Sequence, residues 1–232
     1  MQTHKSKPIT FHVVTLFPEV FSAYLNESII GRAIKAKKIK ISFYDPRKYV
    51  TGKYKKVWLD GNVSRIVDDR PYGGGPGMVM RAEPVLRAVE AALKKVKGKV
   101  KIINFTPSGK KFDTAYAKKA AQSYLDVVLI CGRYEGVDAR VDKILKPDQI
   151  SVGDYVLTGG ELPAMTVIDC ISRQIKGVLG NFDSREEERV SSSEVYTRPE
   201  VLEHKGKKYR VPKVLLSGDH KQIDAWKQRK ET

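Results

Sequence analysis

Apolar strand-like runs alternate with helix-period segments through the first 180 residues, and three of the runs lead straight into glycine-bearing loops. ITFHVVTL (Ile9 to Leu16) is rich in β-branched residues and meets no turn former until Pro18. A helix-like stretch follows, then KIKISFYD (Lys38 to Asp45) alternates as a second strand. Further on come a helix over Ala82 to Val96, a strand at Val100 to Phe105, a helix over Thr114 to Tyr124 and the apolar strand DVVLICG (Asp126 to Gly132). A strand at Gln149 to Val152 and a helix at Leu162 to Ile175, with Pro163 in its first turn, complete the series. Strand and helix in alternation predict a mostly parallel α/β sheet.

Pro46 to Met80 carries turn formers and charge without a period, and is read as a long functional loop outside the core. After Gly180 the run NFDSREEERVSSSE lacks apolar anchors and reads as a linker. The expected organisation is a main domain at 1–180, a linker at 181–193 and a small basic C-terminal domain at 194–232, helical near its end, where Ile223 and Trp226 share one face.

Charge narrows the partner. The chain holds 43 Lys+Arg against 27 Asp+Glu, a formal charge of +16, which favours a polyanion. Cys131 and Cys170 read as reduced, buried thiols, and the four histidines show no metal-ligand spacing. No apolar run approaches the roughly 20 residues needed to span a bilayer, and the start MQTHKSKPITF has no signal-peptide core, so a cytoplasmic protein with no membrane partner is expected.

Four motifs carry the chemistry. DDRPYGGGPGM (Asp68 to Met78) lets backbone amides approach a ligand, with flanking carboxylates suited to base-edge donors or a divalent ion. NFTPSGK (Asn104 to Lys110), CGRYEG (Cys131 to Gly136) and SVGDYVLTGGELPA (Ser151 to Ala164) each follow a strand, where open α/β sheets place ligands. If those strands are neighbours, the loops converge on one crevice. Neither GxGxxG after the first strand nor GxxxxGK[ST] occurs, which disfavours a dinucleotide fold and a P-loop.

In this order, and with TLFPEVF, DPR, GVLG, YTRPE and LLSGDH around them, the motifs resemble the tRNA (guanine-N1-)-methyltransferase family of the SPOUT class over nearly the whole chain. The resemblance implies a sheet whose C-terminal part forms a deep trefoil knot, followed by a small helical C-terminal domain. It implies S-adenosylmethionine held by Phe105, Thr106, Pro107, Gly132, Tyr134, Glu135, Ser151, Val152, Gly153, Tyr155, Leu157, Gly159, Gly160 and Pro163. Glu135 would take the ammonium of its methionine part. The implied reaction is methylation of N1 of the guanosine immediately 3′ of the anticodon, by a homodimer with shared active sites.

That chemistry needs a general base for the N1 proton and a cation near O6. By the resemblance the cation is Arg173 and the base is a linker carboxylate of the partner chain. The linker here is several residues shorter than the family's, so Glu188 matches best while Glu187, Glu186 and Asp183 remain rivals. Asp68 and Gly77 would read the guanosines around the target, and the C-terminal domain would grip the tRNA anticodon stem-loop through Lys205, Lys207, Lys208, Arg210 and Lys213. The basic stretch Lys53 to Lys56 would add to that grip. A magnesium dependence is a family expectation with no residues here to carry it. The alternatives are a SPOUT methyltransferase with another target, or an RNA-binding module without catalysis.

Overall fold

The computed structural model describes residues 7–58, 61–179 and 194–228. The chain divides into two compact units, Met1–Gly180 and Asn181–Thr232.

The first unit is built on β1 (Ile9–Val14), a 3-10 turn at Pro18–Phe21, α1 (Ser22–Leu25), α2 (Ser28–Lys35) and β2 (Ile39–Tyr44). Two short hairpins follow, β3 (Lys55–Val57) with β4 (Val63–Arg65) and β5 (Asp68–Asp69) with β6 (Val79–Met80). Then come α3 (Ala82–Leu93), β7 (Val100–Lys111), α4 (Thr114–Ser123), β8 (Asp126–Ile130), α5 (Arg140–Leu145), β9 (Asp148–Ser151) and α6 (Glu161–Arg173). The main sheet runs β2-β1-β8-β7-β9, and every pairing in it is parallel.

Helices cover both faces of this sheet, which explains the unbroken apolar run in β8. Val127 and Leu129 pack with Phe11, Val13, Val167, Ile168 and Ile171 on one side. Val128 and Ile130 pack with Val85, Ala88, Val89 and Val141 on the other. Val50, Val67 and Met80 join that second cluster, so the segment from Pro46 to Met80 is not a loop outside the core as expected. It lacks a period because two 3-10 turns are followed by strands only two or three residues long.

β7 is longer than expected. Ile103, Asn104 and Phe105 pair with Asp148, Gln149 and Ile150, and beyond a register break Lys110 and Lys111 pair with Ile150 and Ser151. Ile150 thus pairs with both arms of β7, and the turn between Phe105 and Lys110 lies against β9. A Cβ on Gly109 would stand 2.6 Å from the Ile150 backbone nitrogen, so only glycine permits that approach.

Asp148, at the start of β9, sits between Lys101 Nζ at 2.9 Å and the Tyr116 hydroxyl at 2.8 Å. Burial alone would raise its pKa, but the hydrogen bonds from Lys101 and Tyr116 outweigh that and lower it. A carboxyl lowered on folding stabilises the fold above its unfolded value and loses that contribution as pH falls through the folded one. Asp148→Asn is therefore expected to flatten the loss of stability below about pH 4. Urea midpoints taken down the acid limb check this, and parallel curves for the two chains would remove Asp148 from the acid response.

The second unit was expected to be helical. It holds α7 (Lys213–Leu216) and α8 (His220–Gln228), but also a hairpin, β10 (Val201–His204) with β11 (Lys207–Arg210). Lys205 and Gly206 both take positive φ, 51° and 73°, the backbone of a tight two-residue hairpin turn. The Lys-Gly pair was the available signal. Ile223, Trp226 and Lys227 are the half-buried residues of α8, and the Trp226 ring lies 6.1 Å from that of Tyr196.

Candidate active site

β8, β7 and β9 are consecutive in the sheet, so the loops leaving their C-terminal ends meet. They enclose a cavity of about 430 Å³, a size suited to a small-molecule ligand. Phe105, Thr106 and Pro107 border it from the first loop, and Gly132, Tyr134 and Glu135 from the second. Ser151, Val152, Gly153, Tyr155, Leu157, Gly159, Gly160 and Pro163 border it from the third. All fourteen residues expected around the methyl donor therefore face one space.

The walls depend on close backbone contact. Gly160 N–H donates to the Gly132 carbonyl at 2.9 Å, and a Cβ on Gly160 would fall 2.6 Å from Cys131 Cα. Tyr134 holds φ at 60°, a conformation costly for an aromatic residue and tolerated where the surroundings impose it. Those surroundings are visible: Tyr134 bridges to Val79, and Glu135 N–H donates to the Met78 carbonyl at 3.0 Å.

Arg133 explains why the second loop carries an arginine. Its Nε lies 2.9 Å from Glu161 Oε2, its guanidinium covers the Phe17 ring at 4.5 Å, and Glu161 also accepts from the Thr15 hydroxyl at 2.8 Å. Glu161 is 3% exposed, so this pair fastens the end of β1 and the start of α6 to the cavity wall. Removing Arg133 would leave a buried carboxylate without its cation. Arg133→Met is expected to cost about 3 kcal/mol or more in denaturant unfolding, whereas a loss within about 0.5 kcal/mol, the range of an ordinary surface change, would contradict the clamp.

The glycine hairpin docks on the same wall. Met80 N–H donates to the Gly136 carbonyl at 2.9 Å, and a Cβ on Gly77 would meet Glu135 Oε1 at 2.6 Å. Gly73, Gly74 and Gly75 have open space where a Cβ would go, and their positive φ values are what require glycine. Asp68 pairs with Met80 across the hairpin and is half-buried. The hairpin thus places Gly77 beside the Glu135 side chain and Asp68 at its own base.

Arg173 does not border the cavity. It ends α6, ten residues beyond Pro163, or about 15 Å along the helix. Its neighbours there include Tyr24, whose hydroxyl donates to Asp169. That bond, with burial and the Asp169 charge adding to it and Arg173 opposing, pushes the Tyr24 pKa up to about 12. Glu188, Glu187, Glu186 and Asp183 lie outside the described residues.

Among the described residues no group of three or more His, Cys, Asp or Glu side chains is placed to hold a metal ion, and no helix is long and apolar enough to cross a membrane. Cys131 is buried, and burial pushes its thiol pKa well up. Cys170 is only half-buried, because it lies on the flank of α6.

Sequence reasoning missed several residues of the wall, among them Asn104, Arg133, Asp142 and Gln149. Asn104 was legible as the first residue of NFTPSGK. Asp142 was not, because α5 has six residues and shows too little period to be recognised.

Comparisons with known proteins agree with this geometry. Residues 9–232 match the family model described as tRNA (Guanine-1)-methyltransferase TrmD. The tRNA (guanine-N(1)-)-methyltransferase of Photobacterium profundum is 44% identical over 219 residues, covering 93% of this chain and 82% of that protein. The protein of the same name from Pseudoalteromonas atlantica is 42% identical, over 94% and 78%. Among solved structures, the tRNA (m1G37) methyltransferase from Aquifex aeolicus superposes with a TM-score of 0.72 at 38% identity, covering 95% of this chain and 88% of that one.

Proposed function

Because the chain belongs to the tRNA (guanine-1)-methyltransferase family, we propose that it methylates N1 of the guanosine immediately 3′ of a tRNA anticodon, with S-adenosylmethionine as donor. The observation that carries this reading is the convergence of the three strand-end loops on one cavity. Its charge fits the donor. Arg133, Glu135 and Asp142 are the charged residues on its wall, and Arg133 is already paired with Glu161. In a chain of +16 this leaves an anionic pocket, suited to a ligand bearing a sulfonium and an ammonium.

The donor supplies an electrophilic methyl group. The protein's part is to deprotonate the guanine and stabilise the charge that follows. A linker carboxylate, Glu188 in this reading, takes the N1 proton, and the Arg173 guanidinium faces the negative charge growing on O6. Glu188→Gln is expected to lower turnover far more than Glu186→Gln, and equal losses would reassign the base.

The pairing of β9 with both arms of β7, and the close approach of the Gly109 turn to it, support a trefoil knot. The apolar strip beside α6, with Leu162 57% exposed and joined by Tyr155, Leu157 and Met165, supports a homodimer with shared active sites. Leu162→Asp is expected to halve the mass measured by light scattering. An unchanged dimer would exclude this face.

In the C-terminal unit Lys205, Lys207, Lys208, Arg210 and Lys213 are all exposed on the β10–β11 hairpin or just after it. They form the footprint on the anticodon-stem phosphates, with Lys55 and Lys56 of β3 as a second contact in the first unit. Asp68 and Gly77 of the glycine hairpin read the neighbouring guanosines.

The test is methylation of anticodon stem-loop RNAs with guanosine or adenosine at the target, followed by nucleoside mass spectrometry. 1-Methylguanosine from the first and no product from the second is expected. Binding of RNA without any methylated product would favour a non-catalytic module.

A further inference from the structure

Asn104 is buried, at 6% exposure, and borders the cavity. Its Nδ2 donates to Asp142 Oδ1 at 2.8 Å, while Gln149 Nε2 donates to Asp142 Oδ2 at 2.8 Å. An ionised carboxylate only accepts, so both amides must turn their nitrogens toward it. That fixes the Asn104 amide and leaves Oδ1 on the other side. Oδ1 is fully buried and has no hydrogen-bond partner. A buried acceptor left unmade costs about 1–3 kcal/mol, which a ligand donor at that point would recover.

The charge at this end of the cavity points to a cationic donor. No cation pairs with Asp142 among the described residues, and its partners are two neutral amides. Asn104 Oδ1 and the Asp142 carboxylate are thus two acceptors at this end of the cavity, with the full negative charge on Asp142 deciding the sign of the ligand group. Glu135, the residue the family resemblance suggested for this task, borders the same cavity beside Gly77 of the glycine hairpin.

We propose that Asn104, oriented by Asp142 and Gln149, is the subsite for the α-ammonium of the methyl donor's amino-acid end. The proposal rests on the reading that the cavity binds S-adenosylmethionine. Asn104 accepts the hydrogen bond, Asp142 supplies the countercharge, and Gln149 holds the second carboxylate oxygen so that it cannot rotate away.

Calorimetric titration of the full chain with three probes separates the possibilities. S-adenosylmethionine carries the ammonium and the sulfonium, S-adenosylhomocysteine only the ammonium, and 5′-methylthioadenosine neither. Asn104→Leu is expected to weaken the first two about tenfold, the size of one hydrogen bond to a charged group, and to leave the third within about twofold. Asp142→Asn should follow the same pattern and serves as the second variant if Asn104→Leu does not fold. Equal loss for all three probes would mean that Asn104 serves the adenosine end, and loss for S-adenosylmethionine alone would move the contact to the sulfonium. No loss in either variant would mean that the acceptor needs no ligand. Each of these overturns the assignment while the cavity's cofactor stands. Failure of the unaltered chain to bind S-adenosylmethionine would instead overturn the proposed function.

Discussion

Arg173→Ala is expected to slow methyl transfer by about 10²- to 10³-fold, the usual effect of removing a donor aimed at a developing oxyanion, and to leave affinity for the methyl donor unchanged. The second half follows from geometry. Arg173 stands about 15 Å along α6 from Pro163 and does not border the cavity, so the bound donor has no contact to lose in that chain. A residue acting only on the transition state lowers the rate with donor and tRNA saturating, not their binding. Single-turnover rates beside calorimetric titration check both halves. A variant that still turns over at the normal rate would remove Arg173 from the chemistry, and one that loses donor binding would make its role structural.

Gly109→Ala should disturb the fold and the cavity together. The added methyl would lie 2.6 to 2.7 Å from backbone atoms of Gln149 and Ile150, and backbone cannot rotate away as a side-chain tip can. Crowding of this kind costs about 1–3 kcal/mol. Any relief must push β9 from β7, and Thr106, Pro107, Gln149 and Ile150 would move with them at the cavity wall. Donor affinity is therefore expected to fall by about tenfold or more together with stability, since each 1.4 kcal/mol of lost binding is a factor of ten. Gly98→Ala is the control: its methyl would meet the flexible Leu125 Cδ1 at 3.1 Å, far from the cavity loops. Matching behaviour of the two variants in thermal unfolding and donor titration would contradict the close-approach account.

Much of the site was legible because sheet physics places it. A continuous apolar strand such as DVVLI must be covered on both faces, strands that alternate with covering helices pair in parallel, and parallel strands send their C-terminal loops to one edge. Recognising the strands before TPSG, GRYEG and the SVGDY run was enough to expect that the loops meet. The register break in β7 was not legible, since KIINFTPSGKK has no periodic mark of a strand that pairs on both sides of a turn. The core role of Val50 and Val67 was hidden for a related reason: each lies just outside a short element and is buried in the cluster that holds the α3 residues, not by an element of its own. Arg133 shows the limit of reading motifs for chemistry alone. The CGRYEG motif gave it no role, and it proves to be the cation that fastens Glu161 at the cavity wall.

A crystal structure of the chain grown with S-adenosylhomocysteine tests the central claim most directly. The account predicts density for the nucleoside inside the cavity, against Pro107, Tyr134 and Gly159. Density elsewhere on the molecule, with those three residues closed upon one another, would contradict it.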